Sequence, residues 1–233
     1  TAQDLRSDDL QTRLQGPAVA QLSAVFAEDW YSTTGEALTD EGLFPVVPEA
    51  GEAIARVIPS GPDGDYGVFH SVFVAAVYAA QRSVRIVTPY FLPSDVVSTA
   101  LQMAALRGIT VTVVVPLVGD SRPVGWAMRA HFAPLLEKGV EIRQRSGAFL
   151  HAKLLLVDDA WALYGSSNVD PRSFWLNYEL NVGIAGATGV EPLRRWEAEV
   201  RGGATMIDPA AWRARGQAAV AWENLWALAS PML

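Results

Sequence analysis

From Val68 onward, short β-branched runs alternate with longer stretches of helical periodicity, and this alternation limits the fold more than any other feature. VFHSVFVAAVYAAQ (68–81) reads as a helix and VRIVTPYF (84–91) as a buried strand. SDVVSTALQMAALRG (94–108) reads as a helix with Ser94 as its N-cap and Gly108 as its stop. TVTVVVP (110–116) has the β-branched density of a strand, VGWAMRAHFAPLLEKG (124–139) is helical, and VEIRQR (140–145) is a strand. HAKLLLVDD (151–159) and WALYGSS (161–167) follow as two strands around a tight acidic turn. NVDPRSFW (168–175) suggests a short helix, YELNVGIAG (178–186) another strand, and the remainder is mostly helical. The expected fold is α/β, a mixed β-sheet flanked by helices. No short-period internal repeat is visible.

Upstream of this alternation, GPAVAQLSAVFAEDWYSTTGE (16–36) carries Val19, Leu22, Val25 and Phe26 on one helical face. FPVVPEAGE (44–52) reads as a Pro/Gly-rich linker, and IARVIPSGPDGDYG (54–67) as a short strand and a turn. The expected division is an opening segment over 1–47 and one lobe over 48–233. The longest apolar run, VFVAAVYAA (72–80), is too short to span a bilayer. TAQDLRSDD is no signal peptide, and a start at Thr1 reads as a cut within a longer chain. A net charge of −7 counts against sequence-independent nucleic-acid binding, which rests on basic contacts to phosphate. With no cysteine, disulfides and thiolate metal sites are excluded. The three histidines are dispersed, so no metal cofactor is expected.

The chemistry concentrates in His151-Ala-Lys153-Leu-Leu-Leu-Val-Asp158, followed by Gly165-Ser166-Ser167-Asn168. In an extended chain residues two apart share a face about 7 Å apart, so His151 and Lys153 point the same way and can meet one phosphate. Leu154 and Leu156 then face the opposite layer. A neutral imidazole can attack phosphorus or hand a proton to a leaving oxygen, and either role needs its second ring nitrogen fixed by an acceptor. Glu179 is the best candidate for that acceptor. Lys153, the Ser166 hydroxyl and the Asn168 amide are candidates to hold the phosphate oxygens. Asp158 completes the motif and so stands among the candidate catalytic residues. Its parity and its place at the turn favour a structural role, accepting turn amides or an ion pair.

The spacing H-x-K-x4-D followed by G-S-x-N resembles the HKD signature of the phospholipase D superfamily. TPYFLP, LLEKGVEIRQ, FLHAKLLLVDD, GSSNVDPRSFWLNYELNVGI and ENLWALASPML are similar to the C-terminal half of bacterial cardiolipin synthases. The opening GPAVAQLSAVFAEDWYSTTGE resembles the segment that follows their first HKD motif. The resemblance implies a phospholipase D-like lobe whose preceding lobe ends within 1–47. It also implies metal-free, ping-pong phosphatidyl transfer through a covalent phosphohistidine. The substrate would be a phosphatidylglycerol-like phospholipid at a membrane surface, on the cytoplasmic face of the bacterial inner membrane. Such enzymes pair two HKD histidines, and this chain carries one motif. The second lobe is therefore expected in cis, in trans or from a second copy. By the family analogy His151 is the general acid/base, though its local chemistry allows either role. A phospholipase, a single-motif nuclease homodimer and a non-catalytic lobe are the alternatives.

Several further residues have two readings each. Arg172 either adds a cation near the phosphate or pairs with Asp170 or another carboxylate. Tyr90 and Phe91 follow a strand end, where α/β ligand sites lie, and either line an acyl-chain entrance or pack in the core. Trp212, Trp222 and Trp226 meet a membrane interface or pack against the sheet. His70 and His131 sit in helical patterns without polar company and are expected to be structural.

Overall fold

A computed structural model describes residues 7–63 and 67–230. Eight strands form one mixed sheet: β2 (Ile54–Ser60), β3 (Ser83–Val87), β4 (Thr110–Pro116), β5 (Glu141–Arg145), β7 (Leu154–Val157), β8 (Trp161–Gly165), β9 (Glu179–Ala185) and β10 (Ala204–Met206). Their order across the sheet is β10-β5-β4-β3-β7-β8-β9-β2. β3, β4 and β5 are parallel, and the remaining neighbours are antiparallel. A separate two-residue parallel pair joins β1 (Ser7–Asp8) to β6 (Phe149–Leu150). β2 is an edge strand, which is why it tolerates Pro59.

Side-chain parity divides the core into two layers. Val84, Ile86, Val111, Val113, Leu155 and Val157 face one side. There they meet α2 (Val68–Ala79), α3 (Asp95–Leu106), α4 (Arg122–Ala130), α5 (Phe132–Glu137) and α6 (Pro171–Trp175). Leu154, Leu156, Ala162, Val182 and Ile184 face the other, against Val190, Leu193 and Val200 of α7 (Ala187–Gly202). The expected α/β architecture is therefore present, with Leu154 and Leu156 in one layer as their spacing requires.

Ser94 caps α3 by accepting the Val97 N–H at 3.2 Å, and Gly108 at φ +84° lets the chain turn after it. The helix expected over 124–139 is instead two, α4 and α5, broken at His131. Pro134 has no N–H for the helix ladder, and its ring would collide with the Ala130 carbonyl one turn earlier. The C-terminal stretch includes the edge strand β10 as well as α8 (Pro209–Arg213) and α9 (Gln217–Ala227). The opening segment contributes α1 (Ala18–Thr34), and its Leu10 and Leu14 pack against the α7-side core. Among the described residues no helix is long and apolar enough to cross a membrane.

Candidate active site

β7 pairs antiparallel with β3, Leu154 beside Val87, so the residues just before β7 lie at the sheet end where β3 and β4 finish. His151 and Lys153 occupy that junction, between β6 and β7, rather than the body of a central strand. They do share a face. Lys153 Nζ lies 2.9 Å from His151 Nε2 and donates to the His151 carbonyl at 2.6 Å. An ammonium has only protons to offer, so His151 Nε2 presents its lone pair to it. His151 Nδ1 then carries the proton and donates to Asp9 Oδ2 at 3.1 Å. The contacts thus order Asp9–His151–Lys153 with Nδ1 on the carboxylate and Nε2 on the ammonium.

The acceptor expected for His151 was Glu179, and the structure corrects this. Glu179 accepts from Ser166 Oγ, from Ser173 Oγ at 2.8 Å and from Asn177 Nδ2 at 3.3 Å. The group on His151 is Asp9, 142 residues away in sequence. It is placed there because β1 pairs with β6 and the Asp8 carbonyl accepts the His151 N–H at 2.8 Å. Burial opposes ionisation of Asp9, but its bonds from His151 and the Leu10 N–H, with the nearby Lys153 charge, hold its carboxyl below the usual range. Lys153 is 9% exposed, and burial lowers its ammonium pKa. The charges of Asp9, Glu179, Asp170 and Asp120 act against that shift.

Ser166, just past β8, is engaged: it donates to Glu179 and accepts the Leu180 N–H at 2.9 Å. The Asn168 N–H donates to Ser173 Oγ at 3.0 Å, and its side-chain Oδ1 is buried without a partner. Gly165 is required by close approach, since a Cβ there would lie 2.2 Å from the Leu180 carbonyl oxygen of β9. Asp170 caps α6 by accepting the Ser173 N–H at 2.7 Å, and burial raises its pKa. Arg172 is exposed and pairs with neither Asp170 nor another carboxylate among the described residues.

Asp158 lies at the opposite end of β7 from His151, and this removes it from the candidate catalytic set. Its carboxylate accepts the N–H groups of Gln81, Arg82 and Ser83 at 2.7–2.8 Å, tying the β7–β8 turn to the start of β3. Asp158 and Asp159 both adopt left-handed backbone, at φ 55° and 57°, which aspartate tolerates well. His70 is structural: its Nε2 meets Ser94 Oγ at 2.8 Å and its ring packs on Phe174 and Trp175. Burial lowers the pKa of both His70 and His131. Phe91 is fully buried core, whereas Tyr90 lines a cleft. Trp212 is buried between the guanidinium groups of Arg129 and Arg215, and Trp226 packs on Trp126. Trp222 also contacts Trp126 but stays 47% exposed.

Asp9 was absent from the sequence-derived site, yet a signal for it exists. Asp9-Leu10 precedes Gly16 by the same spacing that separates Glu179-Leu180 from Gly186. Gly16 and Gly186 both have positive φ, +94° and +99°, and each leads directly into a helix, α1 or α7. Residues 9–16 and 179–186 thus share an acid–Leu–x5–Gly spacing that leads into a helix, although 179–185 forms strand β9 and 9–15 forms no strand.

A family described as "Cardiolipin synthase, PLD-like domain" matches residues 73–199. Cardiolipin synthase A of Yersinia pestis and of Yersinia pseudotuberculosis are each 36% identical to this chain over 229 residues. That match covers 97% of the chain and 47% of each relative, so the chain spans about half the length of the curated relatives it matches. The fold is similar to that of a phospholipase D family member, Nuc, from Salmonella typhimurium, with TM-score 0.57 and 22% identity over 67% of this chain and 99% of that one. It is also similar to phosphatidylserine synthase from Haemophilus influenzae, with TM-score 0.64 and 14% identity over 88% of this chain and 53% of that one. With His151 and Lys153 together at one sheet end and this likeness running nearly the whole length, the chain belongs to the phospholipase D-like family of the cardiolipin synthases.

Proposed function

We propose that this chain supplies one half-site of a phosphatidyltransferase acting between phospholipids, with a phosphatidylglycerol-like donor. The Asp9–His151–Lys153 arrangement carries the reading: an imidazole of fixed tautomer beside a buried ammonium is suited to phosphoryl chemistry. In the first step one histidine nitrogen attacks phosphorus, a P–N bond forms, and the P–O bond to the head-group alcohol breaks. A second histidine gives that leaving oxygen its proton. In the second step the acceptor hydroxyl passes its proton to the second histidine while its oxygen attacks phosphorus. The P–N bond then breaks and the first imidazole is restored. With its Nε2 lone pair presented, His151 is set as nucleophile or base; the general acid/base role that family analogy favours requires Nε2 to be protonated before the first step. Lys153 stabilises the charge that develops on the non-bridging oxygens, with Ser166 and Asn168 as further donors once released from their present partners.

The second histidine belongs to another HKD lobe, in cis, in trans or from a second copy. The Asp9–His151 contact supports this: residues 1–47 would be the tail of that lobe and a linker, and 48–233 the lobe built around His151. Asp9, from that tail, orients His151, and Glu179, at the same seven-residue distance before a glycine, would orient the histidine of the opposing lobe. The protein would work as a peripheral enzyme on the cytoplasmic face of the bacterial inner membrane. The test is to incubate the two-lobed protein with vesicles of labelled phosphatidylglycerol in excess chelator. A diphosphatidyl product and an acid-labile phosphohistidine adduct are expected. Turnover that stops with the chelator and returns with a divalent ion would contradict the proposal.

A further inference from the structure

Asp9 reaches His151 from a strand with little to hold it. β1 is two residues long, and a strand pair that short is marginal by itself. Asp9 is half-exposed, and its other oxygen accepts only the adjacent Leu10 N–H, so its place on His151 depends on where β1 sits. Among the described residues the side-chain tie on β1 comes from Asp8, whose Oδ2 accepts from Arg145 Nη2 at 3.3 Å. The same residue gives its backbone carbonyl to the His151 N–H at 2.8 Å. Asp8 therefore joins Arg145 to the histidine from one side while Asp9, the next residue, holds Nδ1.

Arg145 is firmly placed for this contact. It ends β5 between Pro116 of β4 and Ala204 of β10, and its carbonyl accepts the Leu117 N–H at 2.7 Å. Its guanidinium lies against Gly203, where a Cβ would collide with Nη1. The Gly203 backbone, at φ −88°, asks for no glycine, so the guanidinium is what needs the space. Arg145 Nε is buried without an acceptor. Such an N–H costs stability, and a partly exposed ion pair contributes little in return. Folding alone gives no reason for the arrangement, whereas the placing of Asp8 does. We propose that Arg145 is a positioning residue for His151: it anchors Asp8, which seats β1, and β1 carries Asp9 onto Nδ1. Its effect on turnover rests on the phosphatidyl-transfer reading, and its effect on the imidazole does not. With residues 1–47 as the tail of the opposing lobe, Arg145 also makes the orientation of His151 depend on that tail being docked.

The test follows the Nδ1–H resonance of His151, and kcat for transfer, in the protein carrying both lobes. Arg145→Gln and Asp8→Ala are each expected to broaden that resonance through faster exchange with solvent. Each should also lower kcat about fivefold with KM unchanged, the size of one partly exposed ion pair. Both cut the same tie, so the double variant should lose no more than either single. Gly203→Ala, which pushes the guanidinium off Asp8 and keeps its charge, should give the same loss. Arg145→Lys should restore part of both the resonance and the rate. A resonance unchanged in Arg145→Gln overturns the proposal, and so do losses that multiply in the double variant. Absence of transfer by the wild-type protein, with the resonance responding as described, overturns the phosphatidyl-transfer reading instead.

Discussion

Asp9→Asn in the two-lobed protein is expected to lower kcat for phosphatidyl transfer by roughly 10³- to 10⁴-fold, with little change in thermal stability. The amide keeps the size of the carboxylate but can offer its N–H to His151 Nδ1. That would move the imidazole proton to Nε2, the nitrogen that now faces Lys153 with its lone pair. An imidazole protonated on that side can neither attack phosphorus nor accept the acceptor's proton. Asp9 is half-exposed at the end of a two-residue strand, so its own contribution to folding is small. Steady-state kinetics on the variant, alongside its melting curve, check the expectation. Near-normal turnover would reduce Asp9 to a surface partner.

Glu179→Gln is expected to lower transfer by roughly 10²- to 10⁴-fold as well, but for a different reason from that read in the sequence. Glu179 does not touch His151; like Asp9 it stands seven residues before a positive-φ glycine that leads into a helix. In the proposed two-lobed enzyme its target would be the histidine of the opposing lobe. The loss should appear in the two-lobed protein while the Asp9–His151 pair stays intact, seen as an unchanged Nδ1–H resonance of His151 in the variant. Full activity in Glu179→Gln would assign this carboxylate to the structural network of Ser166, Ser173 and Asn177.

The layers of the fold were legible because β-branched runs such as 110–116 and capped helices such as 94–108 carry their signals locally. The break at His131 was also legible in principle, since Pro134 forbids the ladder bond that a continuous helix needs. β10 was not: three residues at a sheet edge carry no periodicity. The β1–β6 pair was hidden too, because two-residue strands 142 residues apart in chain order leave no pattern in either segment. The same separation concealed the true partner of His151. A carboxylate downstream on a neighbouring strand was the nearer choice, but β8 and α6 supply Glu179 with hydroxyl donors of their own. Same-face placement of His151 and Lys153 followed from extended geometry alone and survives although the residues lie just outside β7. Asp158 shows the limit of motif reading: its spacing marks it as a signature residue, while its three backbone amides give it the work of an anchor.

The central claim is that His151 is one of two histidines the reaction needs, and the most direct measurement is the activity of residues 1–233 as a verified monomer, alone and with an opposing HKD lobe added. His70 is buried against Ser94, Phe174 and Trp175, and His131 sits at the α4–α5 junction, so neither has the carboxylate and ammonium partners of His151 to make it the second imidazole of the reaction. Loss of general acid catalysis alone accounts for about 10²- to 10⁴-fold. The account predicts no phosphatidyl transfer above background by the monomer, and turnover that appears when the opposing lobe is supplied. Robust transfer by the verified monomer, abolished in His151→Ala, would contradict it.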